Sequence, residues 1–384
     1  MPEQLKVLQG NFSLIRLPER RNELLRAWDA ADEYLLNTLP DIITLSITSK
    51  ILLVNDSFGA LAVALSAYHP QAWSDSYLSQ QATRLNLRAN GLDENAVNLL
   101  DSLQTPTGLF EVIVIKVPKT LAFLEDLLLR LRPQLNANTK IIVAGMLKQL
   151  PASVWTLLER LIGPTSSSLA KKKARLIFAY PDPALKEPDN PYPSSYILEN
   201  TAYEIVNHAN VFSRAQLDIG TRFFIQHLPS QAHAQTIVDL GCGNGLVGLI
   251  AAARNPQAKL VFVDESFMAI ASARQNFVVA FGDQHSAVFK VGDGLQDFTP
   301  GSVELILCNP PFHQQQTIGD HIAASFFRQA YKTLTVNGEL WIVGNRHLGY
   351  QASLQKLFGN CTVVAANHKF VILKVNRKAI KQAS

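Results

Sequence analysis

The chain has 384 residues, which is long for one domain and sufficient for two. Hydrophobic residues make up 47% of it and charged residues 17%, a balance typical of a chain that is folded throughout. The formal net charge of +4 permits binding to nucleic acid without requiring it. The sequence shows neither an N-terminal signal pattern nor an apolar run of membrane-spanning length, so we expect a cytoplasmic protein without membrane contact. We also expect a monomer. The three cysteines lack Cys-x-x-Cys spacing, so neither a disulfide framework nor a metal site is expected.

The first half of the chain alternates short apolar runs with amphipathic segments, in the order of βαβ units. Strands are predicted at 51–54, 112–117 and 141–144, and helices at 60–68 and 121–132. The first strand leads into the turn sequence Asn55-Asp-Ser-Phe-Gly59. We therefore expect residues 1–180 to form one α/β domain with a mostly parallel sheet.

A proline-rich stretch separates the two halves. It contains Tyr180-Pro-Asp-Pro183 and Glu187-Pro-Asp-Asn-Pro-Tyr-Pro193. Proline at this density indicates a semi-rigid spacer, so residues 181–200 are predicted to be a linker. A basic cluster precedes it, made of Lys171, Lys172 and Lys173. Such clusters usually form a solvated face, but beside a domain junction this one is also a candidate for contact with phosphate groups.

The second half contains a glycine-rich turn between two apolar runs. The first run contains Asp239, and it is followed by Gly241, Gly243 and Gly245 and then by the second run, 246–253. A strand that passes through glycines into a helix lets a ligand approach bare backbone, and the helix N-terminus adds free N–H groups. The spacing differs from the dinucleotide fingerprint, and no Gly-Lys-Ser/Thr follows to hold a triphosphate. Asp239 and the three glycines are therefore predicted to bind a nucleotide-type cofactor.

Two more acids follow strands in this half. Asp264 ends the run Lys259-Leu-Val-Phe-Val-Asp264, one helix after the glycine turn, where an acid can accept hydrogen bonds from ribose hydroxyls. Asp293 follows the next strand, 287–291, and can accept from the amine of an adenine. Both acids are predicted to contact the cofactor.

A fourth strand, beginning at Val303, leads into Asn309-Pro-Pro-Phe312. The side-chain oxygen of Asn309 and the carbonyl of Pro310 can accept the two N–H bonds of an amine whose lone pair is delocalised, and so orient it. Phe312 offers a face on which a base can stack. This position is the carboxyl edge, where open α/β sheets bind ligands, so Asn309, Pro310 and Phe312 are predicted to be catalytic.

The first half aligns with the second in the order of its elements, which indicates an ancient duplication. The alignment places Gly59 on Gly245, Asp75 on Asp264, Lys116-Val-Pro-Lys119 on Asn309-Pro-Pro-Phe312, and 141–145 on 340–344. The residues that carry the chemistry differ, because Asn55, Ser57 and Phe58 stand in the turn and Lys116 replaces the amide of Asn309. We interpret the first half as a degenerate copy that does not bind the cofactor.

The pairing of the glycine turn with the later Asn-Pro-Pro-Phe sequence resembles Rossmann-like S-adenosylmethionine methyltransferases that modify exocyclic or amide nitrogens. Together with His208-Ala-Asn-Val-Phe-Ser-Arg214 and Leu217-Asp-Ile-Gly-Thr-Arg222, it is similar to the ribosomal RNA guanine-N2 methyltransferases of the RsmC and RlmG type. Further segments carry this resemblance along nearly the whole chain, namely 27–34, 116–120, 263–266, 308–315 and 345–348. The N-terminal segments are more similar to the large-subunit enzymes.

The resemblance implies two tandem Rossmann-like methyltransferase domains, each with a seven-stranded mostly parallel sheet and helices on both faces. The first is expected to be degenerate and to recognise RNA, and residues 201–384 are expected to be catalytic. The implied reaction transfers a methyl group from S-adenosyl-L-methionine to the N2 amine of one guanine in 23S ribosomal RNA. The resemblance implies that Asp218 contacts the cofactor and that Phe212, Arg214 and Pro311 contact the substrate. Lys171, Lys172 and Lys173 are further candidates for substrate contact.

Other functions remain open from the residues alone, which indicate only a nitrogen methyltransferase. The same pair of acceptors suits a guanine of 16S ribosomal RNA, an adenine in DNA or a glutamine amide in a protein. A non-catalytic RNA-binding assembly factor is a further alternative. The intact glycines and Asn309 argue against it, because the first half shows what loss of the site looks like.

Overall fold

The computed structural model describes residues 4–19, 25–231, 234–311 and 316–379. The chain forms two compact units, Met1–Tyr192 and Pro193–Ser384. Of the predicted linker, 181–200, the residues up to Tyr192 belong to the first unit, and Ser194–Ile197 forms a strand of the second. Within the described ranges, no helix is long and apolar enough to cross a membrane.

The first unit begins with a hairpin and a helix and continues as an alternating α/β domain. Its strands are β1 (Gln4–Val7), β2 (Gly10–Ser13), β3 (Ile51–Val54), β4 (Gln71–Ser74), β5 (Asn98–Asp101), β6 (Val112–Lys116), β7 (Lys140–Met146), β8 (Thr165–Ser167) and β9 (Ala174–Ala179). Its helices are α1 (Ala30–Ile42), α2 (Ala60–Ala64), α3 (Tyr77–Ala89), α4 (Leu121–Leu131) and α5 (Ala152–Leu161). The helix predicted over 60–68 is thus shorter, because Ser66–Tyr68 forms a separate 3-10 turn.

The second unit repeats this order. Its strands are β10 (Ser194–Ile197), β11 (Glu204–Asn207), β12 (Thr236–Leu240), β13 (Lys259–Asp264), β14 (Ala287–Val291), β15 (Val303–Cys308), β16 (Leu334–Asn345), β17 (Thr362–Ala366) and β18 (Phe370–Asn376). Its helices are α6 (Ile219–Gln226), α7 (Leu246–Arg254), α8 (Phe267–Phe281), α9 (Gln316–Thr333) and α10 (Tyr350–Phe358).

Each unit is built around one seven-stranded sheet, and the two sheets have the same strand order. The order is β5-β4-β3-β6-β7-β9-β8 in the first unit and β14-β13-β12-β15-β16-β18-β17 in the second. The first five strands of each order run parallel to one another. The sixth strand, β9 or β18, runs antiparallel to both of its neighbours. Parallel strands need crossover helices, which cover both faces of the sheet and bury it. The predicted fold class, two tandem Rossmann-like domains, is confirmed.

Buried side-chain contacts repeat along with the topology. Asn86 of α3 bonds through its amide to Ile15 and to the Phe58 carbonyl of the first turn. Asn276 of α8 bonds in the same way to Val206 and to the Asn244 carbonyl of the glycine turn. In both units one asparagine therefore ties the N-terminal segment to the turn after the first sheet strand. This shared detail supports duplication, because topology alone does not require it.

One residue of the sequence alignment needs correction. The backbone N–H that opens each turn donates to the neighbouring strand, from Asn55 to the Trp73 carbonyl and from Gly241 to the Val263 carbonyl. Ser74 therefore corresponds to Asp264, and placing Asp75 on it was wrong by one position. The helix caps agree, because the hydroxyls of Ser76 and Ser266 begin α3 and α8 in the same register. In contrast, strand pairing confirms the match of Lys116 with Asn309, since Ile115 and Cys308 both pair with the last residue of the first sheet strand.

Candidate active site

The glycine turn joins β12 to α7 at the carboxyl edge of the second sheet. Gly241, Gly243 and Gly245 all have left-handed backbones, with φ of 69°, 55° and 78°. A Cβ atom on Gly245 would lie 2.7 Å from the Cβ of Ala273 on α8, so only glycine fits there. Beside Gly243 the space is open, because no heavy atom of the described residues lies within 4 Å of a Cβ built on it. The turn thus presents bare backbone to a ligand.

Asp264, at the end of β13, forms a hydrogen bond that stabilises this turn. Its Oδ2 atom accepts from the Gly243 N–H at 2.9 Å, and its Oδ1 atom accepts from the Ser266 N–H at 3.0 Å. Burial raises the pKa of this carboxyl group. Each carboxylate oxygen has a second lone pair, so the group can hold the turn and still accept from a ligand hydroxyl.

Asp239 lies in β12, two residues before the turn begins at Gly241. It is 1% exposed, and its Oδ2 atom accepts from the Gly248 N–H in the first turn of α7 at 2.8 Å. Burial raises the pKa of Asp239 to about 8, and the nearby Asp264 charge acts in the same direction. This geometry makes Asp239 a support for the start of α7.

The loop after β14 forms another wall of the site. Asp293 is half-buried and accepts a hydrogen bond from Gln296. Burial raises the pKa of Asp293. The ring of Phe326 on α9 lies between this loop and the glycine turn, since it is 3.6 Å from a Cβ built on Gly241 and 3.2 Å from one built on Gly294. Phe326 was not predicted from the sequence, because an aromatic residue inside a helix is more often a core residue.

Asn309 follows β15, directly beside β12, with its side chain on the face covered by α6. Its Nδ2 atom donates to the Thr221 hydroxyl at 2.9 Å. Its Oδ1 atom is buried and has no hydrogen-bond partner among the described residues. A buried acceptor without a partner costs free energy, on the order of 1–3 kcal/mol, which a ligand donor would recover. Because it lies at the carboxyl edge of the sheet beside the glycine turn, this amide oxygen is a candidate acceptor for a ligand donor.

The rest of the Asn-Pro-Pro-Phe loop is described in part. Pro310 is buried and Pro311 is half-buried. Phe312, predicted to be catalytic, lies outside the described residues.

The segment between β11 and α6 carries three further predicted site residues. The side chain of Phe212 is 52% exposed. The Arg214 guanidinium donates to the Ala209 carbonyl at 3.1 Å, so Arg214 helps to shape this segment. Asp218, predicted to contact the cofactor, is the N-cap of α6, with its Oδ2 atom accepting from the Thr221 N–H at 2.9 Å.

The three lysines form the exposed turn before β9 in the first unit. Lys172 pairs with Glu33 of α1, with 2.9 Å between its ammonium and the carboxylate. The Lys171 ammonium lies 5.7 Å from the centre of the Tyr34 ring. One of the three charges is thus already balanced within the unit, whereas Lys173 forms no ion pair with any residue of the described chain.

The first unit has different chemistry at the place that corresponds to Asn309. The ammonium of Lys116 contacts the carboxylates of Asp29 and Asp32, at 2.8 and 2.7 Å. Burial opposes the charge, yet these two acids together raise the pKa of Lys116. An ammonium has no acceptor to offer an amine.

Two family matches cover the two units. A family described as the RLMG N-terminal domain matches residues 2–183, and one described as the methyltransferase small domain matches residues 202–374. Together with the open glycine turn and an amide oxygen that has no partner among the described residues at the same sheet edge, these matches define a methyltransferase with a second domain of the same topology.

Relatives along the whole chain narrow the class. The chain is 49% identical over 377 residues to the ribosomal RNA large subunit methyltransferase G of Streptomyces griseus, covering 96% of this chain and 98% of the relative. It is 50% identical over 369 residues to the protein of the same name from Ectopseudomonas mendocina, with the same coverage. The chain belongs to the ribosomal RNA large subunit methyltransferase G family.

Among solved structures, the chain is similar to the 16S rRNA N2 methyltransferase RsmC of T. thermophilus, determined in complex with AdoMet and guanosine. The TM-score is 0.75 with 18% sequence identity, and the match covers 98% of both chains. At this identity the similarity shows a shared fold across both units.

Proposed function

We propose that the chain transfers a methyl group from S-adenosyl-L-methionine to the N2 amine of a guanine in 23S ribosomal RNA. The observation that carries this proposal is the buried Oδ1 atom of Asn309, which has no partner among the described residues and lies at the sheet edge beside the open glycine turn. The names of the relatives point to the RNA of the large ribosomal subunit. We also propose that the protein acts in the cytoplasm, where ribosomal RNA is found.

The proposed cofactor site uses the three glycines as backbone contacts, with Asp264 accepting from ribose hydroxyls and Asp293 from the adenine amine. Both acids lie at the carboxyl edge, and both have lone pairs left after the hydrogen bonds described above. The bound cofactor supplies an electrophilic methyl group on a sulfonium. Asp239 supports the start of α7 and need not touch the ligand.

The chain's own task in the reaction is to hold the amine. The lone pair of the guanine N2 atom is delocalised into the ring, so the amine attacks well only when its N–H bonds are directed. Asn309 Oδ1 and the Pro310 carbonyl would accept those two bonds, which would direct the lone pair at the methyl group that the cofactor supplies. With the cofactor bound, the methyl group would pass to the nitrogen, the sulfur would leave as a neutral thioether, and the nitrogen would release one proton to water.

We propose RNA recognition as the role of the first unit, residues 1–180. It has Lys116 where the second unit has Asn309, so it cannot offer the same acceptor. Lys171 and Lys173 are exposed on its surface and suit contact with phosphate groups. Phe212, Arg214 and Pro311 remain proposed contacts for the substrate, as does Phe312, and Arg214 also shapes its own segment.

The test is methyl transfer by the purified full-length chain to 23S and 16S ribosomal RNA from cells that lack it, with duplex DNA as a further substrate. We expect N2-methylguanine in 23S RNA, identified by nuclease digestion and mass spectrometry. Asn309→Ala should lower turnover by about 100-fold or more, the usual cost of removing one preorganised polar group from a site. Affinity for the cofactor should change little, and Asn309→Asp should be milder, because a carboxylate still accepts.

Asn98→Ala is a matched control, since Asn98 is exposed on β5 of the first unit. It should leave turnover unchanged. Methylation of adenine, of 16S RNA alone, or of no nucleic acid would reject the proposed substrate. Wild-type turnover in Asn309→Ala would remove Asn309 from the reaction.

A further inference from the structure

The amide of Asn309 can serve an amine only in one of its two orientations. With Oδ1 toward the substrate it accepts an N–H bond. Rotated by 180° it would present its NH₂ group, which also donates, and the two donors would repel each other. The two ends of the amide have nearly the same shape, so shape alone does not fix the orientation. A hydrogen-bond partner within the protein must therefore fix it.

A short chain of hydrogen bonds starts at the amide and ends at a carboxylate. Asn309 Nδ2 donates to Thr221 Oγ1 at 2.9 Å, and Thr221 Oγ1 lies 3.3 Å from Asp218 Oδ2. A carboxylate only accepts, so the single hydroxyl proton of Thr221 points toward Asp218. The lone pairs of the hydroxyl are then left for Asn309, which must turn its NH₂ group inward.

The geometry of α6 makes this arrangement rigid. Asp218 is the N-cap, and its Oδ2 atom also accepts from the backbone N–H of Thr221 at 2.9 Å. An N-cap contact of this kind stabilises a helix start by about 1 kcal/mol and holds the capping side chain in place. The first helix of the second unit thus places a directed hydroxyl at the end of β15.

The first unit contains the same arrangement with different chemistry. Asp29 caps α1 as Asp218 caps α6, and Asp32 stands three residues later, where the second unit has Thr221. Both acids contact Lys116, which corresponds to Asn309. The contact between the first helix and this strand end is therefore common to both units, and only in the second unit does it leave an acceptor free.

We propose that Thr221, held by Asp218, is a positioning residue that sets the amide of Asn309 with its oxygen toward the amine of the substrate. The inference rests on the proposed function for its substrate, a guanine amine. It adds a role for Thr221 and gives Asp218 a task away from the cofactor.

The test is a double-mutant cycle in the full-length chain, with single-turnover methyl transfer to 23S RNA as the readout. Thr221→Val keeps the shape and removes the hydroxyl, and we expect the rate to fall about tenfold, as for the loss of one directed hydrogen bond. Thr221→Ser should recover most of that loss. In an Asn309→Asp background, Thr221→Val should cost less than about threefold, because a carboxylate accepts in either orientation.

A merely structural role for Thr221 would give a different pattern. The loss from Thr221→Val would then be equal in the wild-type and Asn309→Asp backgrounds, and that result would overturn the proposal. A wild-type rate in Thr221→Val would overturn it as well. Thr201→Val is the control, because the Thr201 hydroxyl bonds to the Leu198 carbonyl within the second unit, in the loop between β10 and β11, and should leave the rate unchanged.

The orientation also has a readout that needs no substrate. In protein labelled with ¹⁵N-asparagine, the side-chain NH₂ signals of Asn309 are assigned by their absence in Asn309→Asp. Thr221→Val should shift these signals and speed their exchange with solvent, whereas Thr201→Val should not. If the wild-type chain fails to methylate RNA, the proposed function fails, and this measurement still decides the orientation; unchanged signals in Thr221→Val would overturn it.

Discussion

The replacement of Gly243 by alanine tests whether the open space beside the glycine turn is the cofactor site. Gly243 has a left-handed backbone, with φ of 55°, and its N–H group donates to Asp264. A methyl group there would meet no heavy atom of the described protein within 4 Å. The protein itself can therefore accept Gly243→Ala at the cost of backbone strain alone, about 1–2 kcal/mol for a residue with a Cβ atom in this conformation.

Gly243→Ala would also weaken the binding of the cofactor. A methyl group added where a ligand packs against backbone costs about 1–3 kcal/mol, the range for overpacking a well-filled site. That range corresponds to a loss of about 5-fold to 150-fold in affinity for S-adenosylmethionine. Calorimetric titration of the cofactor, together with chemical denaturation of the same samples, separates the two effects.

Gly359→Ala is the matched control. Gly359 follows α10 with φ of 71°, and a Cβ atom on it would likewise meet nothing within 4 Å in the described part of the chain. It should cost similar stability and leave cofactor affinity unchanged. Normal affinity in Gly243→Ala, or an equal loss of affinity in Gly359→Ala, would refute the placement of the cofactor against this turn.

Two further predictions concern buried charge. Lys116→Met should lower the unfolding free energy of the first unit by about 3–5 kcal/mol, because Asp29 and Asp32 lose their buried cation; denaturation followed by tryptophan fluorescence measures it, and unchanged stability contradicts it. Burial raises the pKa of Asp239 to about 8, against about 3.9 in the unfolded chain. Between these two pH values the folded state keeps a proton that the unfolded state has lost. The free energy of unfolding therefore falls as pH rises from about 4 to 8. Asp239→Asn should remove this slope, and a stability difference from wild type that is equal at pH 5 and pH 8 contradicts it.

The sequence predicted those features of the fold that depend on local pattern. Short apolar runs predicted the central strands of both sheets, and the glycines predicted the turn, because only glycine fits against Ala273 at position 245. The two hairpins were missed. Segments such as Gln4–Val7 and Ser194–Ile197 are only four residues long, too short for their own pattern to identify a strand, and each is completed by an antiparallel partner.

Contacts between distant residues explain why the site was predicted only in part. Asn309 follows a clear strand and was recognised, but its partner Thr221 lies 88 positions earlier and on a helix. A signal for that partner was present in the sequence, since Asp218 precedes Thr221 by three residues, a spacing typical of a helix cap. The predicted alignment of Asp75 failed by one residue, because the helix and connection after the turn differ in length between the units and the difference cannot be located without the strand register.

The two units suggest how a duplicated domain loses its ligand site while keeping its fold. In the second unit the acid that supports the helix after the turn comes from inside the strand, and the turn residues remain glycine-rich and open. In the first unit the acid comes from the turn itself, because Asp56 accepts from the N–H groups of Leu61 and Ala62 at 2.9 Å. In both units a carboxylate thus accepts from N–H groups in the first turn of this helix, two of them in the first unit and one in the second. The turn of the first unit, however, has Asn55 and Ser57 at the positions of Gly241 and Gly243, so side chains stand where the second unit presents bare backbone.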